Sequence, residues 1–80
     1  MHFVYIIVSV PRPDRYYVGL TENVRKRLGQ HNQGIVHSTA PFRPWRLRTA
    51  VCFSSKSRAA DFEHYLKTGS GIAFLRKRIL

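Results

Sequence analysis

Two phenols, Tyr5 and Tyr17, a guanidinium, Arg27, an imidazole, His31, and a carboxylate, Glu63, are the side chains of this sequence with most to offer phosphate chemistry. Breaking a phosphodiester takes an activated water or hydroxyl, a cation against the charge that develops on the phosphate, and usually a divalent metal held by hard oxygen ligands. Acids are the scarce ingredient. Asp14 stands in a turn, and Glu22 opens a helix, where its charge suits the helix dipole. Asp61 and Glu63 are two apart on a second helix and therefore point to different sides. Glu63 neighbours Ala59 and Leu66 toward the core boundary, whereas Asp61 falls nearer the outer face, so Glu63 is the acid to place in a site.

Arg27 and His31 are four apart, so on a helix both rise from one face and can reach the same phosphate; the plain alternative is a solvated cationic face. Tyr5 and Tyr17 fall on adjacent strands of a hairpin. Packing explains most strand tyrosines, but a phenol in cationic surroundings is drawn toward phenolate and can act as a base. Tyr16 alternates with Tyr17 and faces the other way, for packing. Gly19 leaves room for backbone or ligand to approach near the start of the helix. His2, His37 and His64 lack the short paired spacings of a zinc site, and no glycine-rich phosphate cradle is present.

The elements that must hold these groups follow from the hydrophobic pattern. Residues 2–10, HFVYIIVSV, are dense in β-branched and aromatic types, as a central strand buried on both faces would be. PRPD, 11–14, is a turn, and RYYVGL, 15–20, is the returning strand. Leu20, Val24 and Leu28 then fall four apart, so a helix runs from Glu22, capped by Thr21 or Asn23 and closed by Gly34. The stretch 35–45 is an irregular loop, with Trp45 covering one end of the core or stacking on bases alongside Tyr16 and Phe42. RLRTAVCF, 46–53, is a third strand entering the core. A second helix starts in SSKS, carries Ala59, Phe62 and Leu66 on one side and stops at Thr68-Gly69. A last helix capped by Ser70 turns Ile72, Leu75 and Ile79 inward and Arg76, Lys77 and Arg78 outward. The order β-β-α-β-α-α predicts an α+β fold, helices on a small antiparallel sheet, with residues 1–80 as one domain.

Composition narrows the partners. Fourteen Lys and Arg against four acids give a net charge of +10, spread along the chain, which points to nucleic acid. A membrane surface would demand an exposed apolar helix face that so small a core cannot spare, and the apolar N-terminus is shorter than the ~20 residues of a span and has no leader pattern. A single cysteine, Cys52, in the apolar run AVCF reads as a buried thiol in a reducing cytoplasm.

The order of the motifs is specific. VYI at 4–6, YVG at 17–19, Arg27 eight residues beyond that glycine, QHN at 30–32, and EHYLK at 63–67 followed by TGSG together resemble the GIY-YIG nuclease superfamily, and its small single-domain bacterial members above all. The resemblance spans nearly the whole chain. It departs in the first motif, FVY where the family has GIY, in an added PRPD turn, and in the lack of an asparagine from Ser70 to Leu80. The resemblance implies a three-stranded antiparallel sheet flanked by helices and a metal-dependent endonuclease, using one Mg²⁺ or Mn²⁺, that cuts DNA, structure-specifically and in repair or recombination. Tyr5, Tyr17, Arg27 and His31 match the catalytic positions, Glu63 the metal ligand and Gly19 a structural position at the site. Arg25, Lys26, Lys67, Arg76 and Lys77 are the expected nucleic-acid contacts, and so small a chain invites a partner protein or a homodimer. The competing readings are a nucleic-acid-binding module without catalysis and an RNA-associated protein.

Overall fold

Valine, isoleucine and aromatic residues place His2–Ser9 in the middle of the sheet, where Val4 to Ser9 are all buried. The computed structural model describes all 80 residues. The elements in order are β1 His2–Ser9, β2 Tyr16–Thr21, α1 Val24–Gln33, β3 Trp45–Phe53, α2 Lys56–Tyr65 and α3 Gly69–Phe74, which widens into a π-type turn over Leu75–Ile79. The sheet is antiparallel throughout, in the order β2-β1-β3, and is the α+β arrangement the sequence predicts.

Alternation along β1 divides the core. Val4 and Ile6 join Val18, Ala59, Leu66 and Leu75 on the side of α2 and α3, with Tyr16, Phe53, Phe62 and Ile79 packed around them. Tyr5 and Ile7 face α1 and join Trp45, with Tyr17, Val24, Leu28 and Phe42 against them. Two-sided burial is why β1 reads as a continuous apolar run.

The first helix starts at Val24 rather than Glu22. Asn23 is the cap, its side chain accepting from the Lys26 N–H at 3.0 Å, and Thr21 remains in β2, where its hydroxyl accepts from the Asn23 N–H at 3.2 Å. Leu20, expected on the helix's apolar face, is therefore a strand residue and is exposed. Gly34 closes α1 at φ 82°, a left-handed conformation that favours glycine. Beyond α2, Thr68 rather than Ser70 caps the last helix, accepting from the Gly71 N–H at 3.2 Å. The corner is tight, since a Cβ on Gly71 would run into the Tyr65 carbonyl and come within 2.6 Å of the Leu66 Cα.

The third strand departs most from expectation. Only Trp45 is buried; the rest of β3 is half-buried or exposed, because it forms the sheet edge instead of entering the core. Val51 and Phe53 take the α2 side, which turns Cys52 to the opposite face and leaves it exposed, not buried as the apolar run suggested. The pairing also contains a bulge: Ile6 faces Thr49 while Ile7 faces Leu47, so Arg48 has no partner across the ladder. Its guanidinium donates instead to the carbonyls of Ile79 and Leu80, at 2.8 and 3.2 Å.

Candidate active site

Tyr5, in the middle of β1, projects toward α1 and over Gly19, its partner across the β1–β2 ladder. A Cβ on Gly19 would collide with the Tyr5 hydroxyl and lie 2.6 Å from its ring carbon Cε1. The space that a glycine leaves here is filled by the tyrosine itself, not by a ligand. The hydroxyl then meets two side chains from one face of α1: His31 Nε2 at 2.8 Å and Arg27 Nε, which donates to it at 3.4 Å. The i, i+4 spacing has brought guanidinium and imidazole to the same oxygen. Tyr17 completes the cluster, its ring 5.0 Å from that of His31 and 6.2 Å from that of Tyr5.

The electrostatics differ from a simple cationic pull on a phenol. Burial raises the Tyr5 pKa above its ordinary value and outweighs the hydrogen bond from Arg27; the neighbouring Tyr17 and the charge of Glu63 push the same way as burial. Tyr5 is thus protonated in the free protein. Burial, and next the Arg27 charge, lower the pKa of His31, which is neutral. The hydrogen bond to Tyr5 leads the effects that raise the pKa of Arg27 and keep it charged. Gln30 accepts from Arg27 Nη1 at 2.9 Å and fixes the direction of the guanidinium.

Glu63 stands half-buried on α2 and pairs with Lys67 one turn on. Its charge makes a small contribution to the raised pKa of Tyr5. No group of three or more metal-ligating side chains occurs in the chain. A lone carboxylate suits only a hard divalent ion that keeps most of its waters and draws further oxygens from a phosphate, and to bind one Glu63 would have to release Lys67.

Two clefts line the β2 edge. One, of about 370 Å³, is walled by Thr21, Glu22, Asn23, Lys26, Arg27 and Gln30; the other, of about 350 Å³, by Tyr16, Tyr17, Val18, Leu66, Lys67 and Ile72. Of the cations expected to contact nucleic acid, Lys26 and Lys67 therefore flank the cluster. Arg25 and Lys77 are exposed, and Arg76 lines a separate hollow with Pro13, Asp14 and Tyr16. Trp45 is 5% exposed, its indole N–H donating to the Thr39 carbonyl at 2.8 Å, so it packs and is not a stacking platform. Sequence reasoning missed Thr39, whose Oγ1 lies 2.7 Å from His31 Nδ1. A buried histidine needs a partner for each ring nitrogen, but nothing in the loop sequence selects Thr39 over Ser38.

The family model of the GIY-YIG catalytic domain matches residues 1–72. Structure-specific endonuclease subunit SLX1 of Debaryomyces hansenii is 41% identical over 71 residues, 80% of this chain but 20% of its own length; that of Scheffersomyces stipitis is 43% identical over 68 residues, 76% and 20% of the two chains. A UPF0213 protein of Bacillus licheniformis is 37% identical over 67 residues, 82% of this chain and 67% of its own. The chain thus spans about a fifth of the fungal relatives and about two thirds of the bacterial one. With tyrosines, arginine and histidine gathered around one hydroxyl and a family match over nine tenths of its length, the chain belongs to the GIY-YIG family.

Proposed function

We propose that residues 1–80 form one nuclease domain of the small bacterial type, a divalent-metal-dependent endonuclease that hydrolyses DNA phosphodiester bonds in branched or otherwise structured DNA during repair or recombination. The observation that carries this reading is the hydrogen-bonded set of Tyr5, His31 and Arg27 beside a polar, cationic cleft. The name of the fungal relatives supports the activity, the net charge of +10 supports a polyanionic substrate, and the Bacillus relative supports the small type.

In this reading Tyr5 is the base. Its own proton passes to His31 as it takes one from the attacking water, a transfer that the neutral imidazole at 2.8 Å makes available despite the raised pKa of the phenol. Arg27 meets the charge that grows on the five-coordinate phosphate, held in direction by Gln30. Tyr17 orients the water or the phosphate, and Lys26 and Lys67 neutralise adjoining phosphates along β2. Glu63 would hold one Mg²⁺ or Mn²⁺, which would supply Lewis-acid withdrawal of charge from the phosphate. No helix is long and apolar enough to cross a membrane; the absence of a second cysteine, and so of any disulfide within the chain, supports a reducing cytoplasm as the compartment. The fungal relatives are named as subunits, and a partner protein or a second copy would add the substrate contacts that one small domain lacks.

The test is a cleavage panel of duplex, single-stranded, flap and four-way DNA with Mg²⁺, Mn²⁺ or EDTA. Structured DNA is cut with either ion and not in EDTA. Arg27→Ala lowers the rate on the order of 10²- to 10³-fold while binding stays within a few-fold. Binding without cutting on every substrate would make the chain a nucleic-acid-binding module, and competition by structured RNA over DNA would assign it to RNA.

A further inference from the structure

The loop between α1 and β3 contributes a buried hydroxyl, Thr39, that is 2% exposed and has Oγ1 2.7 Å from His31 Nδ1. Three further hydrogen bonds of its own, and a clamp on one of its partners, hold it there. The Thr39 hydroxyl donates to the Val36 carbonyl at 3.3 Å, and its N–H donates to the same oxygen at 3.2 Å. Its carbonyl accepts from the Trp45 indole, and Asn32, next to His31, clamps the Trp45 backbone by donating to its carbonyl at 3.0 Å and accepting from its N–H at 2.6 Å. The residue after the histidine thus secures the loop that serves the histidine.

Proton bookkeeping gives the direction of each bond. Tyr5 is protonated and 1% exposed, so its O–H requires an acceptor. Of its two polar neighbours, Arg27 Nε–H can only donate, which leaves His31 Nε2 to accept. A neutral imidazole with a bare Nε2 carries its proton on Nδ1 and donates it to Thr39 Oγ1, whose own proton goes on to Val36. In the opposite tautomer two donors would face the Tyr5 oxygen and the phenol proton would have no acceptor; no buried side-chain polar atom lacks a partner. We infer that Thr39 is a positioning residue that holds His31 as the Nδ1–H tautomer, keeping Nε2 open to receive the Tyr5 proton.

This deepens the nuclease reading and rests on it for its consequence. As a water oxygen lone pair forms the new P–O bond, that water's proton passes to Tyr5 Oη and the Tyr5 proton to His31 Nε2. The leaving alkoxide keeps the electron pair of the broken P–O bond and is protonated from solvent, to which His31 returns its extra proton. Thr39 Oγ1 accepts the Nδ1–H throughout. The groups facing His31 are Tyr5 from β1, Tyr17 from β2, Arg27 from its own helix and Thr39 from the loop, and Arg27 carries the only charge among them.

The experiment is ¹H–¹⁵N NMR of the full chain at neutral pH, read at the His31 ring nitrogens, with cleavage of structured DNA in parallel. The expected spectrum has the proton on Nδ1 and a bare Nε2. Thr39→Val populates the Nε2–H form and lowers kcat about tenfold with KM unchanged, the scale on which an outer partner of a functional imidazole acts; Thr39→Ser restores both. A proton on Nε2 in the unsubstituted chain, or a valine variant with an unchanged tautomer, overturns the assignment. If Thr39→Val fails to fold, Thr39→Ala removes the same hydroxyl and is read by the same two outcomes. A chain with the Nδ1–H tautomer that cuts no DNA under any condition would refute the nuclease reading while supporting the role of Thr39.

Discussion

Gly19→Ala is the perturbation that probes the site through its packing. The added methyl would meet the Tyr5 hydroxyl and lie 2.6 Å from Cε1, where ordinary contact begins at 3.4 Å. The phenol must therefore withdraw by about 1 Å, and it is not free to do so without loss, since it is 1% exposed and enclosed by His31, Tyr17 and the apolar cluster it shares with Ile7 and Trp45. A shift of that size cannot keep the present geometry of the 2.8 Å bond to His31. Overpacking costs about 1–3 kcal/mol and the lost bond about 1 kcal/mol more, so urea denaturation should show destabilisation of about 2–4 kcal/mol. A reacting group displaced by this much costs on the order of 10²-fold in rate. Single-turnover cleavage of a branched substrate measures the second effect, and fluorescence anisotropy in EDTA should show DNA affinity within about twofold, because no cation has moved. An alanine variant with parental stability and rate would refute the argument, since Tyr5 would then have room that these contacts deny it.

Glu63→Gln is expected to abolish metal-dependent cleavage at every concentration of Mg²⁺ or Mn²⁺ tested, while the midpoint of urea denaturation shifts by the equivalent of about 0.5 kcal/mol or less, because an i, i+4 pair with an exposed lysine contributes little. Cleavage that persists at the parental rate would remove Glu63 from the metal site. The lowered pKa of His31 makes the fold acid-sensitive: as pH falls below about 6.5 the unfolded chain takes up the proton first, so stability that is full above that value is lost progressively toward the folded-state pKa. Denaturation midpoints near pH 7.5 and 5.5 check the sign, and His31→Gln should flatten the difference; an equal slope in both proteins would mean that other groups carry it. At the alkaline end the raised pKa of Tyr5 works in the opposite sense, with stability complete below about pH 10 and falling as pH rises through the folded-state value.

How far the sequence foretold this depends on whether a feature is local. The central strand, the Arg27–His31 face and the Gly34 stop are periodicity and backbone conformation, and they are found where expected. Cys52 and β3 were misread because an apolar run looks the same whether a strand lies inside the sheet or at its edge; burial there depends on which helix covers which face. The role of Gly19 was legible as a close approach but not as an approach by Tyr5, since that requires the register of β1 on β2. Thr39 was invisible for the same reason: eight residues separate it from His31 through a loop with no period, and only the Asn32–Trp45 clamp decides which hydroxyl arrives.

The bulge at Arg48 has a reach beyond the edge it interrupts. Side chains directly opposite in an antiparallel ladder share a face, and Trp45 stands opposite Ser9, two residues beyond Ile7 on the α1 side. Were the bulge straightened with Arg48 kept in the ladder, the alternation beyond it would invert: Arg48 and Arg46 would stand opposite Ile7 and Ser9, and Trp45 would swing to the far face. One unpaired position in an outer strand thereby decides whether an indole or two positive charges pack beside Tyr5 and Ile7.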